Sequence, residues 1–181
     1  LDRYLYKLLN SGHRVAICEQ VEDPKLSKGI VKREVVEVLS PGTAIAEKYL
    51  THKENNFLCS LFINKNNFGY AILDYSTGEF SAGESQISEL YSILDQYQIR
   101  EIIISKKQSN QINLNCADNI LITKYHNWIS DNSLCYEKLL EHFGTNSLKG
   151  FGFDKDDLAI VASGSALIYV EDNYFGKIKH I

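Results

Sequence analysis

The sequence predicts an α/β fold in which a mixed five-stranded sheet flanked by helices follows a smaller α/β unit. Three observations carry this. Seven short stretches of strand length are rich in β-branched and aromatic residues. Between them lie segments whose apolar residues recur at helical spacing. Finally, Ser40, Pro41, Gly42 and Thr43 form the clearest punctuation in the chain and divide it into a short first part and a longer second one.

The first part opens with an amphipathic helix. Leu1, Tyr4, Leu5, Leu8 and Leu9 share one helical face, and Asn10, Ser11 and Gly12 stop it. The period then changes. RVAICEQ reads as a mostly buried strand from Arg14 to Gln20, and IVKREVVEVL as a second from Ile30 to Leu39, with the polar loop VEDPKLSKG between them. A helix and two strands in some 40 residues bury too little to stand alone, so residues are expected upstream. The start at Leu1 and a composition without methionine likewise predict a fragment or a processed piece.

After the punctuation the polar stretch EKYLTHKENN reads as a connection. Strands are predicted at Phe57 to Ile63, Phe68 to Tyr75 and Glu79 to Ala82, joined by the turns KNN and STG into a meander. Ile87, Leu90, Tyr91, Leu94 and Tyr97 line a helix, with Ser85 as its N-cap. REIIIS is a short, continuous apolar run, the pattern of a central strand parallel to a neighbour. KKQSNQINLNCADN has room for a short helix, ILITKY is the fifth strand of this part, and SDNSLCYEKLLEHFG is a helix with the stripe Tyr136, Leu139, Leu140 and Phe143 facing the sheet. A last helix starts near Asp156 and Asp157, which suit the positive end of its dipole, and Ala162, Gly164 and Ala166 let it approach the sheet closely. The order β, β, β, α, β, (α), β, α, α is that of an RNase H-like domain, an analogy of fold that names no function.

Bulk properties narrow the function. The chain of 181 residues is 44% hydrophobic with two prolines, the makeup of an ordered protein long enough for one large or two small domains. No membrane span or signal peptide is legible, which predicts a cytoplasmic location. Cys18, Cys59, Cys116 and Cys135 lack C-x-x-C spacing and are expected as buried free thiols. The net charge of -4 argues against a chain built mainly to clamp nucleic acid. Residues 1–40 nevertheless balance at +1 and residues 41–181 at -5, so any contact with DNA is expected in the first part.

Candidate sites follow from residue type and spacing. Lys25, Lys28, Lys32 and Arg33 flank a proline and a glycine in a loop where phosphates could dock, although the interleaved Glu22, Asp23 and Glu34 also fit an ordinary mixed-charge surface. An RNase H-like order raises the alternative of a metal-dependent nuclease, in which Asp74 on an early strand would be a metal ligand. Its partners are missing: Glu101 stands at the very start of REIIIS, and two-metal chemistry needs three or four converging carboxylates. Asp74 is therefore expected to stabilise the hairpin that ends at Gly78. His13, His52, His126, His142 and His180 show no metal-ligand spacing, KGFGF is not a dinucleotide fingerprint, and Ser165 falls within a helix, not on a nucleophile elbow. No catalytic residue and no metal site are predicted.

Across nearly the whole chain, collinear strings carry a resemblance. RVAICEQVEDPKLSKGIVKREVVEVLSPGT resembles the end of the mismatch-binding domain of the MutS family, with Ser40 where threonine is usual. NNFLCSLF, FGYAILDYSTGEF, HFGT and GFGF are similar to successive landmarks of the connector domain, and KIKHI to the start of the lever domain. The resemblance implies a mismatch-binding portion at 1–42, an RNase H-like connector at 43–176 and the beginning of the lever at 177–181. It further implies a non-catalytic role in DNA mismatch repair, with mismatched duplex DNA, MutL and a second MutS subunit as partners of the parent protein. The mismatch-reading Phe-x-Glu motif has no counterpart in this sequence. ATP and magnesium belong to an ATPase domain that the chain does not include. On the helix SLCYEKLLEHF, the stripe leaves Glu137, Lys138 and Glu141 pointing to solvent where the resemblance implies contact with MutL; a solvated helix face is the plainer reading.

Overall fold

The computed structural model describes residues 2–23, 29–43, 55–112, 114 and 120–174. The expected connection EKYLTHKENN, apart from Asn55 and Asn56, lies outside the described residues, as do Leu1, Lys25, Lys28, His52, Cys116, His180 and the segment 177–181.

The first unit holds α1 (Asp2–Asn10), β1 (Val15–Gln20) and β2 (Arg33–Leu39), the strands pairing antiparallel from Val15↔Leu39 to Gln20↔Arg33. Its core is small: Leu5, Leu9, Ile17 and Leu39. The expected mostly buried strand is corrected here, since only Ile17 of β1 is buried, and β2 starts three residues later than predicted, with Ile30 fully exposed. Hydrophobicity marks these residues as strand formers, but burial needs a second layer, and α1 covers only the Leu39 end. On α1 itself, Leu5 and Leu9 face inward while Tyr4 and Leu8 are exposed. Cys18 is also exposed, against the expectation of a buried thiol, whereas Cys59 and Cys135 are buried.

The second unit is built on one mixed sheet of order β5-β4-β3-β6-β7. Strands β3 (Leu58–Asn64), β4 (Asn67–Asp74) and β5 (Glu79–Gln86) form the antiparallel meander; β6 (Glu101–Ser105) and β7 (Leu121–Tyr125) run parallel to β3. All five residues of β6 are buried, since the strand is flanked on both edges and covered on both faces; Ile102, Ile103 and Ile104 form its apolar run between Glu101 and Ser105. One face carries α2 (Leu90–Tyr97), which sets Leu90 and Leu94 against Cys59, Leu61, Ile102 and Ile104. Ser85 is not its cap: it lies in β5 and bonds Glu89, and a 3-10 turn at Ile87–Glu89 leads into the helix.

The opposite face carries α4 (Leu158–Tyr174), and α3 (Asn132–Phe143) packs beside it. The side chain of Asp131 caps α3 by accepting from the Leu134 amide at 3.0 Å. The stripe expected to face the sheet mainly faces α4: Leu139 clusters with Ile160 and Leu167, and Phe143 meets the sheet only at its edge through Phe80. Small residues explain the spacing. Ala162 and Ala166 lie on Ala71 as predicted, but Gly164 faces α3, where an added Cβ would fall 2.4 Å from Cys135 Cβ. The close approach of sheet and helix rests on Gly69, whose missing Cβ would lie 2.2 Å from the Leu158 carbonyl carbon.

Candidate interdomain coupling site

The most densely bonded polar group in the described structure is a carboxylate. Glu101 begins β6, and its pairing with Leu58 turns its side chain toward the α4 face, where it is fully buried. A buried charge of this kind survives only if its lone pairs are taken by donors. Oε1 accepts from Thr123 Oγ1 of β7 and from the Tyr169 hydroxyl of α4, both at 2.7 Å. Oε2 accepts from Ser40 Oγ and, at 3.2 Å, from the Gly42 amide.

Two of the four donors belong to the turn that leaves the first unit. Thr43 N donates to Ser40 O at 3.2 Å, closing the turn, and Ser40 N donates to Thr43 Oγ1 at 3.1 Å. With Ser40 Oγ donating to the carboxylate, its 2.8 Å pairing with Thr43 Oγ1 has the threonine as donor. Gly42 must lack a side chain, because a Cβ would sit 2.7 Å from Glu101 Cβ and 3.3 Å from Leu58 Cα. What reads in sequence as punctuation is therefore a plug: residues 40–43 are all buried.

A second link lies alongside. Arg14 of the first unit donates from Nη2 to Asn173 Oδ1 at 2.9 Å, and its guanidinium carbon stands 5.6 Å from the Tyr169 ring centre. Burial, reinforced by the Glu101 charge, raises the Tyr169 phenol above its ordinary pKa and keeps it a donor. Spacing and residue type do not reveal this site. The one local signal is a lone Glu before three isoleucines, which in sequence has the look of a strand terminus.

Of the residues predicted to meet phosphate, Lys32 and Arg33 are described and exposed. Lys32 Nζ pairs with Glu34 at 2.6 Å, and its amide donates to Glu22 Oε2 at 3.2 Å. The mixed-charge character of this loop is thus built into its geometry. On α3, Glu137 and Glu141 are exposed as predicted, but Lys138 is not free in solvent. It reaches across to Glu171 of α4 at 2.7 Å and to Glu141 at 3.6 Å, because helices this close bring the flank of the stripe under the neighbour.

Asp74 is buried, with Oδ1 accepting from Ser76 N at 2.8 Å and Ser76 Oγ at 2.6 Å, and Oδ2 from Asn56 N at 3.0 Å. The Gly78 amide donates to Asp74 O at 2.9 Å, so the residue holds the hairpin as predicted. Asp74 follows Leu73, the partner of Leu58, and strand alternation directs it away from the Glu101 face. Among the described residues no three His, Cys, Asp or Glu side chains come together as metal ligands.

Fold and site together define a protein of two α/β units joined by a buried polar junction, the second unit a mixed sheet with helices on both faces. Family models agree with both halves: residues 1–48 match MutS domain I and residues 56–181 match MutS domain II. The chain is 40% identical over 181 residues to the DNA mismatch repair protein MutS of Parabacteroides distasonis, covering all of this chain and 21% of that protein. It is 39% identical over 187 residues to that of Salinibacter ruber, and 37% over 181 to that of Porphyromonas gingivalis, covering 21% and 20% of those proteins. The chain belongs to the MutS family and spans about a fifth of the length of these relatives.

Proposed function

We propose that this chain is a non-catalytic coupling module of a DNA mismatch repair protein. In this reading residues 1–42 are the end of the mismatch-binding domain, residues 43–176 are an RNase H-like connector, and residues 177–181 begin the lever. The sheet order β5-β4-β3-β6-β7 with an antiparallel second strand supports the RNase H-like assignment. The single observation that carries the coupling role is the junction: donors from the first unit's exit turn and from β7 and α4 of the second unit converge on one buried carboxylate. A joint so built transmits displacement, because neither side can move without stranding buried polar groups.

Mismatched duplex DNA is the proposed ligand of the parent protein, with Lys25, Lys28, Lys32 and Arg33 as backbone contacts in this chain. MutL is the proposed partner of α3 through the Glu137 and Glu141 face, and a second MutS subunit completes the assembly. ATP and magnesium would act in another domain of the parent, in the cytoplasm. No helix of the described residues is long and apolar enough to cross a membrane. The test is the parent protein carrying Glu101→Gln. Mismatch binding is expected to persist while MutL recruitment falls several-fold; equal recruitment by a folded variant overturns the coupling role. By itself the chain is expected to bind matched and mismatched duplexes alike, weakly and with strong dependence on salt.

A further inference from the structure

The end of the sheet farthest from the junction has a different character. It is where β3, β6 and β7 terminate, the edge at which open α/β sheets commonly receive ligands. Lys65 forms the β3–β4 turn, Lys106 and Lys107 follow β6, and Lys124 sits at the end of β7. All four are exposed, and among the described residues none pairs with a carboxylate.

Hydrogen bonds hold these segments in one surface. Gln108 clamps Ile63 by donating to its carbonyl at 2.8 Å and accepting from its amide at 3.3 Å. The Lys106 amide donates to Tyr125 O at 3.0 Å, and the Lys107 amide to Asn127 Oδ1 at 3.0 Å. A cavity of about 360 Å³ opens between them, lined by Phe62, Ser105, Lys107, Gln108 and Asn127 among others. Trp128, the chain's single tryptophan, follows the lining residue Asn127 and is 58% exposed.

Charge is segregated here. The described residues 57–73, 102–112 and 120–130 of the strands and turns at this edge contain no Asp or Glu in a chain that has 23 acidic residues. On the helical side Asp131 caps α3 and Asp154 pairs with Lys149 at 3.6 Å, while Asp156 is exposed ahead of α4. Four exposed cations without carboxylate partners at one end of the sheet, Lys107 lining the cleft itself, suit a polyanion presenting repeated phosphates.

We propose that this strand-end edge is a second DNA-backbone contact, on the unit whose net charge is negative and at the end opposite the coupling junction. It is independent of the loop at Lys32 and Arg33, and it rests on the DNA-repair reading only for its choice of polyanion. Each lysine that meets a phosphate releases counterions, so four such lysines would weaken binding about a hundredfold between roughly 50 and 200 mM salt.

Trp128 makes the edge self-reporting. Duplex DNA added to the 181-residue chain at low salt is expected to change its tryptophan emission, with a midpoint that moves to higher DNA concentration as salt rises. Replacing Lys65, Lys106, Lys107 and Lys124 by Gln should abolish the change and lower the slope of log affinity against log salt by about 0.9 for each phosphate no longer neutralised. Lys32→Gln with Arg33→Gln should leave the emission change intact. No emission change, or an unaltered slope in the four-lysine variant while the loop variant loses binding, overturns the edge and leaves the repair reading standing. An equal response to poly-glutamate at matched charge would assign the edge to an acidic protein and overturn the DNA proposal.

Discussion

Tyr169, near the end of the last helix, donates its hydroxyl to Glu101 at 2.7 Å, while Arg14 of the first unit lies over the face of its ring. Removing the carboxylate therefore strands donors in both units. Glu101→Ala is expected to cost about 3 kcal/mol or more, since a buried donor without a partner costs roughly 1–3 kcal/mol. Glu101→Gln should cost less, about 1–2 kcal/mol, because hydroxyl donors can turn to accept from the new amide whereas the Gly42 N–H cannot. Urea unfolding of the three proteins measures both, and equal stability of wild type and Ala variant would remove the junction from the energetics of the fold.

Backbone approach gives a second prediction. Gly69→Ala places its methyl 2.2–2.5 Å from backbone atoms of Leu158 and Ala159, which cannot retreat without dragging α4 off the sheet. Its cost is expected at the upper end of the roughly 1–3 kcal/mol of overpacking. Gly42→Ala meets the Glu101 side chain first and should cost about half as much. Thermal melts of both variants rank them, and the reverse order would contradict the assignment of Gly69 as the tighter contact.

These contacts show where the sequence is legible. The strands and helices follow from periodicity, which reports local preference and one face of burial: β6 reads as central from its isoleucines alone. What periodicity cannot report is which element lies across the gap. The Tyr136, Leu139, Leu140 and Phe143 stripe is apolar whether it meets a sheet or a helix, so the pattern points to the sheet while the main neighbour is α4. Lys138 reads as solvent-facing for the same reason. Glu101 escapes sequence reading because its four donors come from residues 22 to 68 positions away, and no local pattern links them.

Asp74 tests the nuclease alternative. Asp74→Asn keeps the shape but turns an amide N–H₂ toward a donor, Ser76 N or Asn56 N, and is expected to cost about 1–3 kcal/mol. Wild-type chain incubated with duplex DNA and magnesium or manganese is expected to leave it uncut. Metal-dependent cleavage that disappears in a folded Asp74→Asn variant would establish the nuclease.

High pH should weaken the second unit through two buried acids. Burial pushes the Cys135 thiol from 9.0 up to about 11 and the Tyr125 phenol from 10.0 up to about 12. Both favour the neutral form when folded, so the unfolded chain releases these protons first. Stability is full below pH 9 and falls between pH 9 and about 12, on the order of 2 kcal/mol per group. Among the described residues the Tyr125 hydroxyl has no hydrogen-bond partner, so Tyr125→Phe should remain as stable at pH 7 and lose less at pH 11. Denaturation at pH 7 and 11 decides it.

The face of α3 offered to MutL needs a test that respects Lys138. Burial works against its charge, but Glu171 and Glu141 outweigh it, and the ammonium is held above the ordinary lysine pKa. Reversing it to Glu would set like charges against Glu171, 2.7 Å away in the wild type, and is expected to lower stability by about 1–2 kcal/mol. A variant that includes Lys138→Glu therefore confounds binding with folding. Glu137→Lys combined with Glu141→Lys changes the two exposed carboxylates alone and should move stability by less than about 1 kcal/mol. If this face meets MutL, the double variant of the parent protein captures MutL several-fold less well with DNA binding intact. Capture at the wild-type level by that folded variant would take the Glu137 and Glu141 face of α3 out of the interface, and the exposed pair of Phe143, the last residue of α3, and Phe151, with ring centres 5.3 Å apart, would be the next surface to alter.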